Sequence, residues 1–101
     1  MDKEEQLYLE IGQSFTGAER SQMFGKPCFK IGGKAFMCLF ERCMVFKLTG
    51  KDHETAIALK GAILFDPSGK GRAMKEWVQV PYVHKDKWKA FAKAAMGYVG
   101  G

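Results

Sequence analysis

An α+β domain of two layers, with helices packed on an antiparallel meander, is the fold this 101-residue sequence predicts. Three observations predict it. Apolar residues recur at helical spacing near both ends, at Leu7, Ile11 and Phe15 and again at Trp88, Phe91, Ala92, Ala95 and Val99. Between them lie runs rich in Phe, Val, Ile and Met that are too short for helices. Gly32-Gly33 divides two of these runs at hairpin spacing, where glycine supplies the positive φ a two-residue turn requires. The order read from these signals is α-β-β-β-α-β-β-α, a single domain over residues 1–101.

Taken in turn, residues 3–15 form the first helix, with Leu7, Ile11 and Phe15 inward and Thr16-Gly17 ending it. Residues 27–31, 34–41 and 43–49 follow as three strands, the last two joined tightly at Glu41-Arg42. Asp52 and Glu54 favour the start of a helix reaching about Lys60, with Gly61 as its stop. Residues 64–65 and 74–80 then read as a second strand pair around the loop 66–72, and Pro81 closes it. Residues 85–99 make the last helix, its apolar stripe set apart from Lys85, Lys89 and Lys93.

Strict alternation places Phe36, Cys38 and Phe40 on one face of the middle strand and Met37 and Leu39 on the other. That strand is apolar on both sides. The expectation is an apolar patch on whichever face the helices leave bare, and a homodimer as its cover. The competing expectation is that the first helix crosses over and closes the patch within one chain.

Composition bounds function more loosely. Hydrophobic residues are 47% and charged ones 27%, a folded rather than a disordered balance. The apolar run 35–40 is far short of a membrane span, and the charged start Asp2-Lys3-Glu4-Glu5 is unlike a leader, so a cytoplasmic protein is expected. The net charge of +5 is uneven: residues 1–19 carry −4, 20–51 carry +6, 52–69 carry −2 and 70–101 carry +5. Such basicity permits contact with polyanions. Lysine outnumbers arginine thirteen to three, however, which favours solvation over base-specific reading.

No motif in the chain specifies catalysis. Cys28, Cys38 and Cys43 include no C-x-x-C pair, and no histidine stands at ligand spacing from them, so no metal set is expected. Cys38 reads as core; an activated Cys28 thiol is the one enzymatic alternative. His53 and His84 stand alone and are expected in solvent. Asp66-Pro67-Ser68-Gly69-Lys70-Gly71-Arg72 has the glycines and cations of an anion nest, and equally those of a polar hairpin loop. It lacks the Walker spacing. Candidate contacts for an anion or nucleic acid are therefore Lys70, Arg72, Lys75, Lys26 and Lys30. Trp77 reads as a core anchor, with ligand stacking as the alternative.

At Met23-Phe24-Gly25, Phe29-Lys30-Ile31, Gly33-Lys34-Ala35-Phe36, Phe46-Lys47-Leu48, Phe65-Asp66-Pro67 and Val80-Pro81, the chain resembles the TfoX N-terminal-like domain family over residues 4–99. The resemblance implies a compact α+β domain of secretion-chaperone-like architecture. It carries over no catalytic residue and no cofactor, and the family includes a regulator of natural competence in bacteria. The functional expectation is a non-catalytic binding or regulatory module with an unidentified protein partner. The alternative is weak, sequence-tolerant binding of nucleic acid.

Overall fold

The computed structural model describes residues 2–100. Its elements are α1 (Lys3–Gln13), β1 (Glu19–Met23), β2 (Lys26–Ile31), β3 (Lys34–Phe40), β4 (Cys43–Lys47), α2 (Gly50–Ile57), β5 (Ile63–Phe65), β6 (Met74–Val80), a 3-10 turn at Tyr82–His84 and α3 (Lys85–Gly100). All the strands join one antiparallel sheet in the order β1-β2-β3-β4-β6-β5. The α+β class is as expected, but the predicted order lacks a strand. β1, Glu-Arg-Ser-Gln-Met, is an exposed edge whose polar residues show no alternation to read. The expected second strand pair is likewise the far margin of the same sheet.

Each element has a local cause. The Asp2 carboxylate accepts the Glu5 amide at 2.8 Å and caps α1. The Ser14 hydroxyl donates to the Ile11 carbonyl at 2.6 Å as that helix ends, two residues before the expected Phe15. Three two-residue hairpins then build the meander from β1 to β4, each with both tip residues at positive φ: Phe24-Gly25, Gly32-Gly33 and Glu41-Arg42. Their left-handed tips match the twist of the flanking strands. Thr49 precedes α2, which ends three residues before the expected Lys60.

Strand alternation fails in β3, and the register of β5 on β6 shifts between Leu64 and Phe65 as well. Phe29 pairs with Met37 and Lys30 with Ala35, so Phe36 is the extra residue of a β-bulge. Phe36 and Met37 therefore both join the core beneath the helices, with Phe29, Met44, Phe46, Val78 and Val80. The expected grouping of Phe36 with Cys38 and Phe40 is overturned by this bulge. Tyr8 and Ile11 of α1, Ala56 of α2, and Trp88, Phe91, Ala92 and Ala95 of α3 complete that core, so all three helices lie on one face.

The opposite face holds a second cluster, Cys28, Cys38, Val45, Phe65 and Trp77, to which no helix contributes. Its first four members are at most 1% exposed. The sheet covers them by curling. Phe40 and Phe65 stand three strands apart and about four residues apart along the strands. In a flat sheet that is roughly 14 Å by 13 Å, yet their ring centroids lie 5.1 Å apart, edge to face. The open apolar patch on which the homodimer expectation rested is thus closed within one chain, and α1 does not cross to close it.

Gly12 reports the fit of α1 to the sheet. A Cβ there would collide with Cε2 and Cζ of the Phe29 ring, which is itself 1% exposed. In an exposed helix, alanine would be favoured over glycine by about 1 kcal/mol. Gly12→Ala is instead expected to destabilise the fold by about 1–3 kcal/mol, the range of overpacked cores, measured by urea denaturation. A stabilised variant would show that α1 sits loosely on the sheet.

Candidate functional site

Two of the sequence candidates lie on the helix-free side of the sheet. Lys26 and Lys30 alternate with buried Cys28 on β2, which sends both toward that side. The Lys26 ammonium lies 5.4 Å from the centre of the Phe40 ring, a cation–π placement. Phe40 in turn seals against Phe65, the residue from which the basic loop 66–72 departs. Lys26 and the loop are far apart in sequence, and the contacts from Lys26 to Phe40 and from Phe40 to Phe65 link Lys26 to the residue where the loop begins. Lys30 lies further along β2, opposite Glu19 of β1. Lys75 lies on β6, where its carbonyl accepts the His53 ring nitrogen Nε2 at 2.8 Å.

The loop 66–72 has the geometry of a nest, and its own carboxylate fills it. Asp66 Oδ2 accepts the Gly71 amide at 2.9 Å and Oδ1 accepts the Gly69 amide at 3.1 Å. The Ser68 hydroxyl donates to Asp66 Oδ1 at 2.8 Å and accepts the Lys70 amide at 3.2 Å. The hydroxyl of Ser68, followed by the backbone amides, holds the Asp66 carboxyl below the usual carboxylate range. Backbone donors that an external anion would need are therefore committed. What the loop offers is the side chains of Lys70 and Arg72, both exposed and free of ion pairs among the described residues.

Trp77 takes the core-anchor role. It is 6% exposed within the second cluster. Cys28 and Cys38 face each other across β2 and β3, buried at 1% and 0%. Burial raises the Cys28 thiol pKa and pushes that of Cys38 up to about 12. Both shifts oppose the thiolate a nucleophile requires. Cys43 is only half-buried, although burial raises its pKa too. The histidines are part-exposed, and each also makes one hydrogen bond to a distant carbonyl. His53 ties α2 to the Lys75 carbonyl, and His84 donates to the Lys60 carbonyl at 2.8 Å. Each carries its proton on Nε2, since a carbonyl can only accept.

One cleft was not legible in the sequence. Lys3, Gln6, Leu7 and Glu10 of α1 face Tyr82, Lys85 and Asp86 across an open volume of about 430 Å³. The Lys3 and Lys85 ammoniums each lie 5.1 Å from the Tyr82 ring centre. Glu10 and Asp86 share the cleft, so its charge is mixed rather than basic. No spacing pattern could announce a site built from two distant helix starts. Among the described residues no three His, Cys, Asp or Glu side chains gather as a metal site, and no helix is long and apolar enough to cross a membrane.

Two measurements test these assignments. Under native conditions an alkylating reagent is expected to modify Cys43 first, with Cys28 and Cys38 slower by roughly tenfold or more, because the sheet must open before they react. Cys28 modified as fast as free cysteine would contradict its burial. In an NMR titration, the Gly69 and Gly71 amide shifts should follow Asp66 with a midpoint below the usual carboxylate range. A depressed folded pKa means the loop bonds are intact at neutral pH and are lost as acid protonates Asp66. Amide shifts that ignore pH down to 2 would refute the filled nest.

No family model matches the chain, and neither a curated protein nor a solved structure matches it significantly.

Proposed function

We propose that this chain is a non-catalytic binding module, cytoplasmic and regulatory in kind, that engages a polyanion through the basic margin of its helix-free sheet face. The resemblance to TfoX N-terminal-like domains supports the modular, non-enzymatic half of this reading. A two-layer, secretion-chaperone-like arrangement suits it as well, since such a fold presents a sheet face rather than a catalytic cleft. The observation that carries the choice of partner is the chain of contacts from Lys26 through Phe40 to Phe65, where the loop bearing Lys70 and Arg72 begins. Lys30 follows Lys26 on the same side of β2, and Lys75 is exposed on β6.

Nucleic acid is the polyanion whose chemistry fits. Exposed lysines supply mobile point charges rather than the rigid forks that read base edges, so contact is to phosphate and tolerant of sequence. With the loop amides held by Asp66, affinity comes from charge and falls steeply with salt.

Fluorescence titration against single- and double-stranded DNA across a salt series tests the proposal. Five phosphate contacts by Lys26, Lys30, Lys70, Arg72 and Lys75 give an expected slope of log K against log salt of roughly −3.5 for a single strand. The double variant K70E/R72E should weaken binding at low salt and flatten that slope, leaving thermal stability nearly unchanged because both side chains are exposed. Absence of binding at low salt would overturn the reading.

A further inference from the structure

The tip of the β1–β2 hairpin carries a residue that neither the turn nor the core explains. Phe24 sits at φ 52° and Gly25 at φ 73°. Two-residue turns of this hand favour Asn, Asp or Gly at the first tip position, and a bulky side chain there is sterically costly. Burial gives nothing back. Phe24 is 62% exposed and belongs to neither core cluster.

Comparison within the molecule sharpens the point. Glu41 and Arg42 also adopt positive φ, but Arg42 Nε lies 3.7 Å from the Asp2 carboxylate that caps α1. That strained turn therefore reaches another element. Tyr98, an exposed aromatic at 42%, donates its hydroxyl to Glu76 at 2.7 Å. Phe24 has no comparable task among the described residues. A strained, exposed aromatic ring at a hairpin tip points to recognition rather than to folding.

Its neighbours state the chemistry. Lys26 is two residues away on the strand that leaves the turn, and its ammonium marks the start of the basic margin described above. An exposed ring two residues from a lysine matches the alternation of base and phosphate in an unpaired strand. We propose that Phe24 is a stacking platform for a base of single-stranded nucleic acid, with Lys26 contacting the adjoining phosphate. A duplex keeps its bases stacked on each other and leaves an external ring without a face to meet. The inference rests on the nucleic-acid reading of the preceding subsection and adds to it a strand preference and an anchoring residue.

Phe24→Asn is the decisive variant, because strain and recognition predict opposite signs. Asparagine suits the left-handed tip, so the variant should melt at a higher temperature than the wild type. Its affinity for a labelled oligothymidylate should fall by about 5- to 150-fold, the span of one lost aromatic–base stack. The salt slope should be unchanged, since no charge is removed. Affinity for inorganic polyphosphate, which has charge but no bases, should also be unchanged, and Phe24→Trp should restore oligothymidylate binding.

The outcomes separate cleanly. Wild-type protein that binds oligothymidylate while Phe24→Asn binds it equally well overturns the stacking role and leaves the basic surface standing. Equal losses on oligothymidylate and polyphosphate overturn it too, because the ring would then act by shaping the charge. A wild type that binds duplex in preference to single strand refutes the strand preference. A wild type that binds neither nucleic acid removes the underlying reading itself.

Discussion

Contact between Phe40 and Phe65 is the constraint on which the rest of this molecule depends. Three helices cover one face of a six-stranded sheet, and without further device the other face would leave Cys28, Cys38, Val45 and Trp77 in water. Curling the sheet until its diagonal margins meet removes that surface using side chains alone. The bulge at Phe36 contributes from within, since an extra residue raises local twist. It also turns two successive large side chains toward the helices and leaves small Ala35 and Cys38 on the concave side. Bulk is thereby moved from the face that must curl to the face that must be filled.

The same curl assembles the basic surface. Lys26 reaches Phe40 from one margin, and the loop 66–72 leaves Phe65 at the other. Neither group is placed by its local sequence. Both are placed by a hydrophobic contact between residues that lie 25 positions apart in the chain. Weakening the Phe40–Phe65 contact would therefore expose core and disperse charge together, so folding and surface are linked in this protein by one pair of rings.

Legibility in the sequence followed periodicity. The first and last helices, the glycine hairpin and β6 were readable because their apolar residues or turn residues repeat at the element's own spacing. β1 was not, because an edge strand facing solvent has no alternation to display. The hairpin tip Phe24-Gly25 hid the preceding strand further, since phenylalanine is not a turn signal. The bulge at Phe36 escaped because parity arguments assume that every residue is paired. In the site, Lys70, Arg72 and Lys26 were legible as basic residues, but the contact of Lys26 with Phe40 and of Phe40 with Phe65 was not. The Tyr82 cleft was invisible, and so were the histidines' partners, carbonyls more than twenty residues away.

The filled nest in the loop 66–72 sets the character of any binding there. Amides that converge on an anion are rigid and directional, and they make a phosphate site tight and selective. Here Asp66 satisfies those amides itself, which orders the loop and removes its directional donors from competition. The remaining cations are flexible side chains on an ordered support. Such groups attract charge over a distance near the Debye length and hold it loosely. An interaction built this way forms quickly, dissociates quickly and responds to ionic conditions. For any fixed geometry the surface must draw on the sheet, because the Asp66 carboxylate already fills the loop's own anion site.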